Sequence, residues 1–370
     1  MAKKKLTDTQ KKKNLLKAIP APNLPYEPRD PKRYSPNIGL IACGGITEWH
    51  LRAYKAAGYN VVALCDLILE RAEKRREQFY PNADVYTDYR HILDRDDIDV
   101  VDIATHPPER LPLIRDSLLA GKHVLSQKPF VLDLATGEKL IDLARKQKVK
   151  FAVNQNGRWA PHFSYIRNAI SAGLVGQIQG AHLSVHWDHN WVKGTQFDTV
   201  RHVILYDFAI HWFDILTCFM GGKMANRVYA SFTHAPEQRA KEALLGQALI
   251  EYDHAQATLA FDANTLFGPQ DRVYIAGTKG TLTAYSTAGS PMEVKLYTKK
   301  GLATPKLNGK WFPDGFHGTM GELLRAIEEN REPYNSAENN LKSLALCFAA
   351  IKAAETHQSQ IPGKVRKLTA

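Results

Sequence analysis

Between residues 38 and 153, short apolar runs alternate with longer stretches of helical spacing, and this alternation constrains the fold more than any other feature. The apolar runs fall at 38–42, 61–65, 100–104, 123–125 and 151–153, and the helical stretches at 47–57, 69–79, 111–120 and 134–145. Strands that are apolar throughout and separated by helices belong to a parallel sheet covered on both faces. Right-handed crossovers wind such a chain into a doubly wound α/β domain.

After residue 155 the rhythm changes. Helical stretches at 163–171 and 204–219 are followed by strand-like segments at 227–233, 246–252, 257–263, 272–276 and 281–285, with another at 180–187. Many strands with few helices predict an α+β domain built on a large, open, mainly antiparallel sheet. A last helix is expected over 338–356. Ahead of both domains, Pro20, Pro22, Pro25, Pro28, Pro31 and Pro36 exclude a continuous helix or central strand. The expected organisation is an extended or disordered arm over 1–36, a doubly wound domain over 37–155 and an α+β domain over 156–370. The final helix is free to return to the first domain.

The net charge of +11 raises a nucleic-acid reading, which its distribution removes. Residues 1–33 hold ten Lys/Arg against Asp8, Glu27 and Asp30, so most of the excess belongs to the arm. No aromatic-studded basic motif accompanies it, and no nucleic-acid partner is expected. The longest apolar stretch, 203–220, is interrupted by Asp207, His211 and Asp214, so no membrane span is expected. No apolar segment follows the N-terminal lysines as a secretory signal requires. Cys43, Cys65, Cys218 and Cys347 are scattered, which suits reduced thiols in the cytoplasm.

Three motifs carry chemistry. The first is Ala42-Cys43-Gly44-Gly45-Ile46-Thr47, between the first strand and the first helix. Glycine there lets backbone approach a pyrophosphate, and the helix N-terminus favours its charge. Asp66 ends the second strand, where an acid accepts hydrogen bonds from an adenosine ribose. A Rossmann dinucleotide site is therefore expected.

The second motif ends a later strand: Gly121-Lys122-His123-Val124-Leu125-Ser126-Gln127-Lys128-Pro129. Lys128 falls at the carboxyl edge of the sheet, where ligands bind in this architecture. The third is Asp207-Phe208-Ala209-Ile210-His211, whose spacing of four places both polar residues on one helix face. Read from residues alone, Lys128 is either a substrate-facing cation or a solvated lysine. His211 is either a base beside Asp207 or a satisfied core histidine.

Taken together, these motifs resemble the glucose–fructose oxidoreductase/inositol dehydrogenase (Gfo/Idh/MocA) family, in its Gln-Lys-Pro branch. Asn156-Gly157-Arg158-Trp159-Ala160-Pro161, Gly173-Leu174-Val175-Gly176-Gln177-Ile178 and Gly277-Thr278-Lys279-Gly280-Thr281-Leu282 add to the likeness, which spans roughly residues 37–360. The resemblance implies a Rossmann domain with a C-terminal substrate-binding and oligomerisation domain. It also implies an NAD(P)-dependent oxidoreductase acting on a sugar or cyclitol CH–OH group, as a homodimer or homotetramer. NAD is the expected cofactor because Asp66 repels a 2′-phosphate, with NADP left open. The implied cofactor residues are Cys43, Gly44, Gly45, Ile46, Asp66, Thr105, Pro107, Gln127, Lys128 and Gln155. The implied catalytic residues are Lys128, which orients the hydroxyl, His211, which takes its proton, and Asp207, which binds substrate. Arg158 and Trp159 are further substrate contacts.

Three departures accompany the likeness: Gln127 where the family commonly has glutamate, Arg110 where it commonly has histidine, and Ala42 at the first glycine position. They keep two rivals open: glycoside cleavage by transient oxidation with NAD retained, and an inert nucleotide- or sugar-binding regulator. His182, His186, Asp188 and His189, interleaved with Trp187 and Trp191, match no recognised metal pattern. An aromatic wall for a sugar ring and a plain strand-to-loop surface are the remaining readings, and no metal is expected.

Overall fold

The computed structural model describes residues 16–287 and 290–368. In chain order its elements are β1 (Asn37–Ile41), α1 (Thr47–Ala57), β2 (Asn60–Cys65), α2 (Leu69–Phe79), β3 (Asp84–Tyr86), α3 (Arg90–Leu93), β4 (Ile98–Ile103), α4 (Pro107–Leu119), β5 (His123–Gln127), α5 (Leu134–Gln147) and β6 (Phe151–Asn154). There follow α6 (Pro161–Ser171), β7 (Ile178–His186), α7 (Ile210–Phe219), β8 (Arg227–Thr233), β9 (Leu245–Tyr252), β10 (Ala255–Asp262), β11 (Gln270–Gly277), β12 (Gly280–Thr287), β13 (Glu293–Thr298), β14 (Gly301–Ala303), α8 (Trp311–Glu328) and α9 (Ala337–Thr356).

The chain divides into two compact units. One comprises Glu27–Ala160, Gly309–Phe348 and the C-terminal segment from Val365. Its six-stranded sheet has the order β3-β2-β1-β4-β5-β6, and every pairing is parallel. Strand order reverses between β1 and β4, which makes their carboxyl ends the topological switch point where this architecture binds ligands. Ile38 and Leu40 of β1 and Val100 and Val101 of β4 are fully buried, as apolar runs covered on both faces require. The chain leaves α1 through Gly58, whose φ of 75° is the left-handed conformation that closes helices.

Helix α8 also belongs to this unit, and no sequence expectation covered it. Pro313, Gly315, Gly318 and Gly321 are weak helix formers, so its propensity hides it. Their spacing explains the helix instead. A Cβ on Gly315 would lie 2.6 Å from the Asn156 carbonyl oxygen, and one on Gly318 would overlap the Trp159 side chain. Gly315 and Gly318 line the face that lies against the segment after β6, and Gly321 lies against Arg29 and Tyr59.

The second unit comprises the N-terminal segment through Tyr26, Pro161–Asn308 and Ala349–Lys364. Its eight-stranded sheet has the order β14-β13-β12-β11-β7-β10-β9-β8, antiparallel except where β7 meets β10. Alternating burial along β9 shows one covered and one open face. Strands β13 and β14 were not anticipated; β14 is only three residues long, and β13 is followed by Lys299 and Lys300. The stretch at 204–219 is not one continuous α-helix: residues 204–208 form a π-helical turn, in which Ala209 N–H donates to the Ile204 carbonyl at 2.7 Å, before α7 begins.

The first fifteen residues of the arm lie outside the described residues. From Leu16 onward it lies on its own chain. Within the second unit, Ile19 N–H donates to the Leu302 carbonyl at 2.9 Å and Leu302 N–H to Lys17 at 2.8 Å. Within the first, the Glu328 carboxylate accepts from the backbone N–H groups of Lys32, Arg33 and Tyr34 at 2.6–2.9 Å. Prolines remove the possibility of a long regular strand, and these bonds to the Leu302 backbone and the Glu328 carboxylate satisfy the arm's backbone instead.

Candidate active site

The loop after β1 is built around a residue that is not glycine. Ala42 has φ 73°, the left-handed region that glycine enters without cost, and its N–H donates to the Cys65 carbonyl at 2.7 Å. Gly44 and Gly45 follow. A Cβ on either would meet no protein atom within 4 Å, so the fold itself does not require glycine there. The loop is braced from below. Gly44 carbonyl accepts from Thr47 Oγ1 at 2.6 Å and from the Arg75 guanidinium at 3.2 Å, and Arg75 also meets Glu48 at 3.3 Å. The Asp66 carboxylate accepts from Cys43 N–H at 2.7 Å and Ile68 N–H at 2.9 Å. Each oxygen keeps a lone pair for a ribose hydroxyl. Burial, with Asp66 and Cys65 adding to it, pushes the Cys43 thiol above its ordinary pKa, so Cys43 is no nucleophile.

At the carboxyl end of β5, Gln127 is buried and Lys128 half-buried. Arg110, 1% exposed, explains how this turn is held. Its guanidinium donates to the carbonyls of Gln127 and Pro129, and to Thr105 through Nε at 3.0 Å. The loop after β4, carrying Thr105 and Pro107, is thus tied to the turn carrying Lys128. A histidine has two ring nitrogens and could not span these carbonyls.

Gln155 follows β6. It is 1% exposed, and neither amide atom has a protein hydrogen-bond partner. A buried amide without partners is costly unless a ligand supplies them. Together with the open space at Gly44 and Gly45, it fits a dinucleotide whose pyrophosphate crosses the glycine loop. Arg158 and Trp159, expected as substrate contacts, also make contacts within their own unit. Arg158 is fully buried, donates to the Tyr334 carbonyl and to Asn339 Oδ1 at 2.7 Å, and stacks on the Tyr334 ring. Trp159 is packed beneath Gly318. Both anchor the segment after β6 to α8 and α9, because burying them closes the unit's own core.

The second unit carries Asp207 in the π-helical turn, 7% exposed, and His211 in the first turn of α7, half-buried. π-Helical turns accumulate at functional positions because they interrupt regular α packing. Beside Asp207, Phe208 packs on His189 (4.5 Å between ring centroids) and Trp191 (5.7 Å), and His189 stacks on Trp187 with planes 10° apart. Burial, opposed only in part by Asp188, lowers the His189 pKa to about 4, so its imidazole is neutral at physiological pH. His182 pairs with Thr258 and His186 with Asp262, at 2.7 and 2.8 Å. Among the described residues no group of three or more His, Cys, Asp or Glu side chains could hold a metal.

Cys43, Gly44, Gly45, Ile46, Asp66, Thr105, Pro107, Gln127 and Lys128 therefore all follow or end strands of one parallel sheet, and Asp207 and His211 belong to the other unit. Sequence reasoning missed the anchoring role of Arg110 and a buried pair, His50 with Asp102. Asp102 inside the apolar run 100–104 was the available signal for that pair. Among the described residues no helix is long and apolar enough to cross a membrane.

A family model described as "Oxidoreductase family, NAD-binding Rossmann fold" matches residues 36–155, and the GFO/IDH/MocA C-terminal domain model matches 163–283. The chain is 26% identical over 337 residues to D-apiose dehydrogenase of Paraburkholderia graminis, covering 85% of this chain and 86% of that one. It is 25% identical over 335 residues to inositol 2-dehydrogenase of Rhizobium meliloti, covering 88% and 98%. A crystal structure of an oxidoreductase from Agrobacterium radiobacter in complex with NAD+, L-tartaric acid and magnesium shares the fold, with a TM-score of 0.79 at 19% identity over 89% of this chain and 99% of that one.

Proposed function

Because this chain belongs to the Gfo/Idh/MocA oxidoreductase family, we propose that it transfers hydride between a CH–OH group of a sugar or cyclitol and NAD. The relatives named as apiose and inositol dehydrogenases support that substrate class. The observation that carries the reading is the pairing of an open glycine loop at Gly44 and Gly45 with the partnerless Gln155 amide on one sheet edge. NAD is favoured over NADP because the Asp66 carboxylate would repel a 2′-phosphate, and Arg75 is held by the glycine loop and Glu48.

The bound nicotinamide supplies the hydride acceptor. The chain's own groups handle the proton and the oxygen. His211 takes the hydroxyl proton, because an alcohol gives up hydride readily only as its proton leaves. The Lys128 ammonium stabilises the oxyanion that develops, and Asp207 holds a neighbouring hydroxyl. The aromatic surface of Trp187, Trp191 and Phe208 suits the apolar face of a sugar ring. Assembly as a dimer or tetramer uses the open face of the eight-stranded sheet, where Tyr229, Leu249, Tyr274 and Tyr285 are more than two-fifths exposed. Sedimentation velocity on the full chain checks it.

The test of function is mass spectrometry of nucleotide released from the purified protein, followed by NADH formation against a panel of cyclitols, aldoses and glycosides. NAD with turnover-dependent NADH supports the proposal. Cleavage of a glycoside without net NADH, or no bound nucleotide and no turnover, overturns it.

A further inference from the structure

The polar core beneath Lys128 is organised around His50, a side chain with no solvent exposure on the inner face of α1. Its Nδ1 lies 2.7 Å from Asp102 Oδ2, which also accepts from the Tyr54 hydroxyl at 2.7 Å. Burial, and then Asp102, raise the Tyr54 pKa well above its ordinary value, so the phenol donates. On the other side of the ring, His50 Nε2 faces two amide nitrogens, Gln127 Nε2 at 3.2 Å and Asn154 Nδ2 at 3.3 Å.

The orientation of the Gln127 amide is set by its other end. Gln127 Oε1 accepts from the Lys128 backbone N–H at 2.7 Å, a donor that only an oxygen can meet. Gln127 therefore presents its NH2 group to His50, and a ring nitrogen that accepts from this donor carries no proton. The remaining proton sits on Nδ1, pointed at Asp102. Phe316 packs against the imidazole at 4.7 Å between centroids.

We propose that His50 is a positioning residue for Lys128: held by Asp102 as the neutral Nδ1–H tautomer, its bare Nε2 orients the Gln127 amide, whose oxygen then fixes the Lys128 backbone. The proposal rests on the reading of Lys128 as catalytic only for its consequence in turnover, not for its geometry. It also accounts for glutamine at 127. A glutamate there would set a second buried carboxylate against an unprotonated nitrogen. Such a pair is stable only if His50 takes up a proton from solvent and becomes an imidazolium between two carboxylates. Glutamine and neutral His50 are a matched pair.

The test is long-range 1H–15N spectroscopy of the histidine rings in the full chain, with backbone-amide exchange measured at Lys128. In the wild type, His50 shows a protonated Nδ1 and a bare Nε2. In Gln127→Glu, both nitrogens carry protons at neutral pH. In His50→Leu, exchange of the Lys128 amide accelerates about tenfold or more, while Leu125 in the middle of β5 keeps its protection, and His50→Gln, which restores an acceptor, recovers part of the loss. A proton on Nε2 in the wild type overturns the proposal, as does a neutral His50 in Gln127→Glu. So does acceleration at Lys128 that matches Leu125, since that is general loosening of the fold. None of these readouts uses a substrate, so failure of the oxidoreductase reading, seen as full turnover in Lys128→Ala, is a separate result.

Discussion

The buried Arg110 guanidinium donates to the Gln127 backbone carbonyl, joining the first turn of α4 to the turn that carries Lys128. Replacing Arg110 by leucine leaves the carbonyls of Gln127, Pro129 and Thr105 without this donor in a dry interior. The expected loss of folding stability is about 3 kcal/mol, the order of magnitude for orphaning several buried acceptors. Urea denaturation measures it. A change below about 1 kcal/mol would mean that the clamp is redundant.

Gly44→Ala and Gly45→Ala separate ligand from fold. Their added methyl groups meet no protein atom within 4 Å, and neither residue has a positive φ. Both variants should melt as the wild type does without nucleotide. Both should bind NAD at least tenfold more weakly, a loss of about 1.4 kcal/mol. Thermal shift with and without NAD reads both, and unaltered affinity would remove the pyrophosphate from this loop.

Ala42→Gly should stabilise the protein. A non-glycine residue in the left-handed region costs about 1–2 kcal/mol, whereas glycine adds about 0.4–1 kcal/mol of unfolded-chain entropy. With φ at 73° in the native state, the balance favours glycine by roughly 0.5–1 kcal/mol. A destabilised variant in chemical denaturation would show that the Ala42 methyl group makes compensating contacts.

Lys128→Ala and His211→Ala should each lower kcat by roughly 10²–10⁴, the usual range for a lost acid–base or oxyanion-stabilising group. NAD affinity should stay within about twofold in His211→Ala, where only the proton acceptor is removed. Asp207→Ala should chiefly raise the substrate KM. Steady-state kinetics decide this, and near-normal turnover in His211→Ala would assign the histidine to packing.

Asp271 gives a pH signature. Burial raises its pKa to about 7, against a Trp187 hydrogen bond that lowers it. The native state therefore binds a proton that the unfolded chain releases at lower pH. This contribution is fully present below the unfolded carboxylate pKa of about 4 and is lost as pH rises to 7. Asp271→Asn should remove that slope and be more stable than wild type at pH 8, on the order of 2 kcal/mol, with a smaller difference at pH 5. Parallel denaturation curves at both pH values would contradict the burial.

The parallel sheet was legible because buried strands must be apolar along their whole length and their connections must return the same way. The periodicity of residues 38–153 therefore carried both element type and sheet class. The glycine loop and Asp66 were legible for a related reason: their roles depend on backbone freedom and charge at fixed distances along one βαβ unit. The antiparallel sheet was legible in kind, while the three-residue β14 was too short to register and β13 was not anticipated.

What the sequence could not determine involves residues far apart in the chain. Nothing local in the sequence shows that α8, with Gly315 and Gly318, packs on the segment after β6 that carries Arg158 and Trp159. Helix α8 itself was invisible because glycine opposes helix formation locally and is favoured only by the close packing it permits. His50, Asp102, Gln127 and Asn154 lie on α1, β4, β5 and β6, and no local pattern joins them. Local sequence sets the periodicity that buries a face. Which donor meets which acceptor inside that buried space is decided only when the sheet forms, because a polar group in the interior must find its partner wherever the topology has put one.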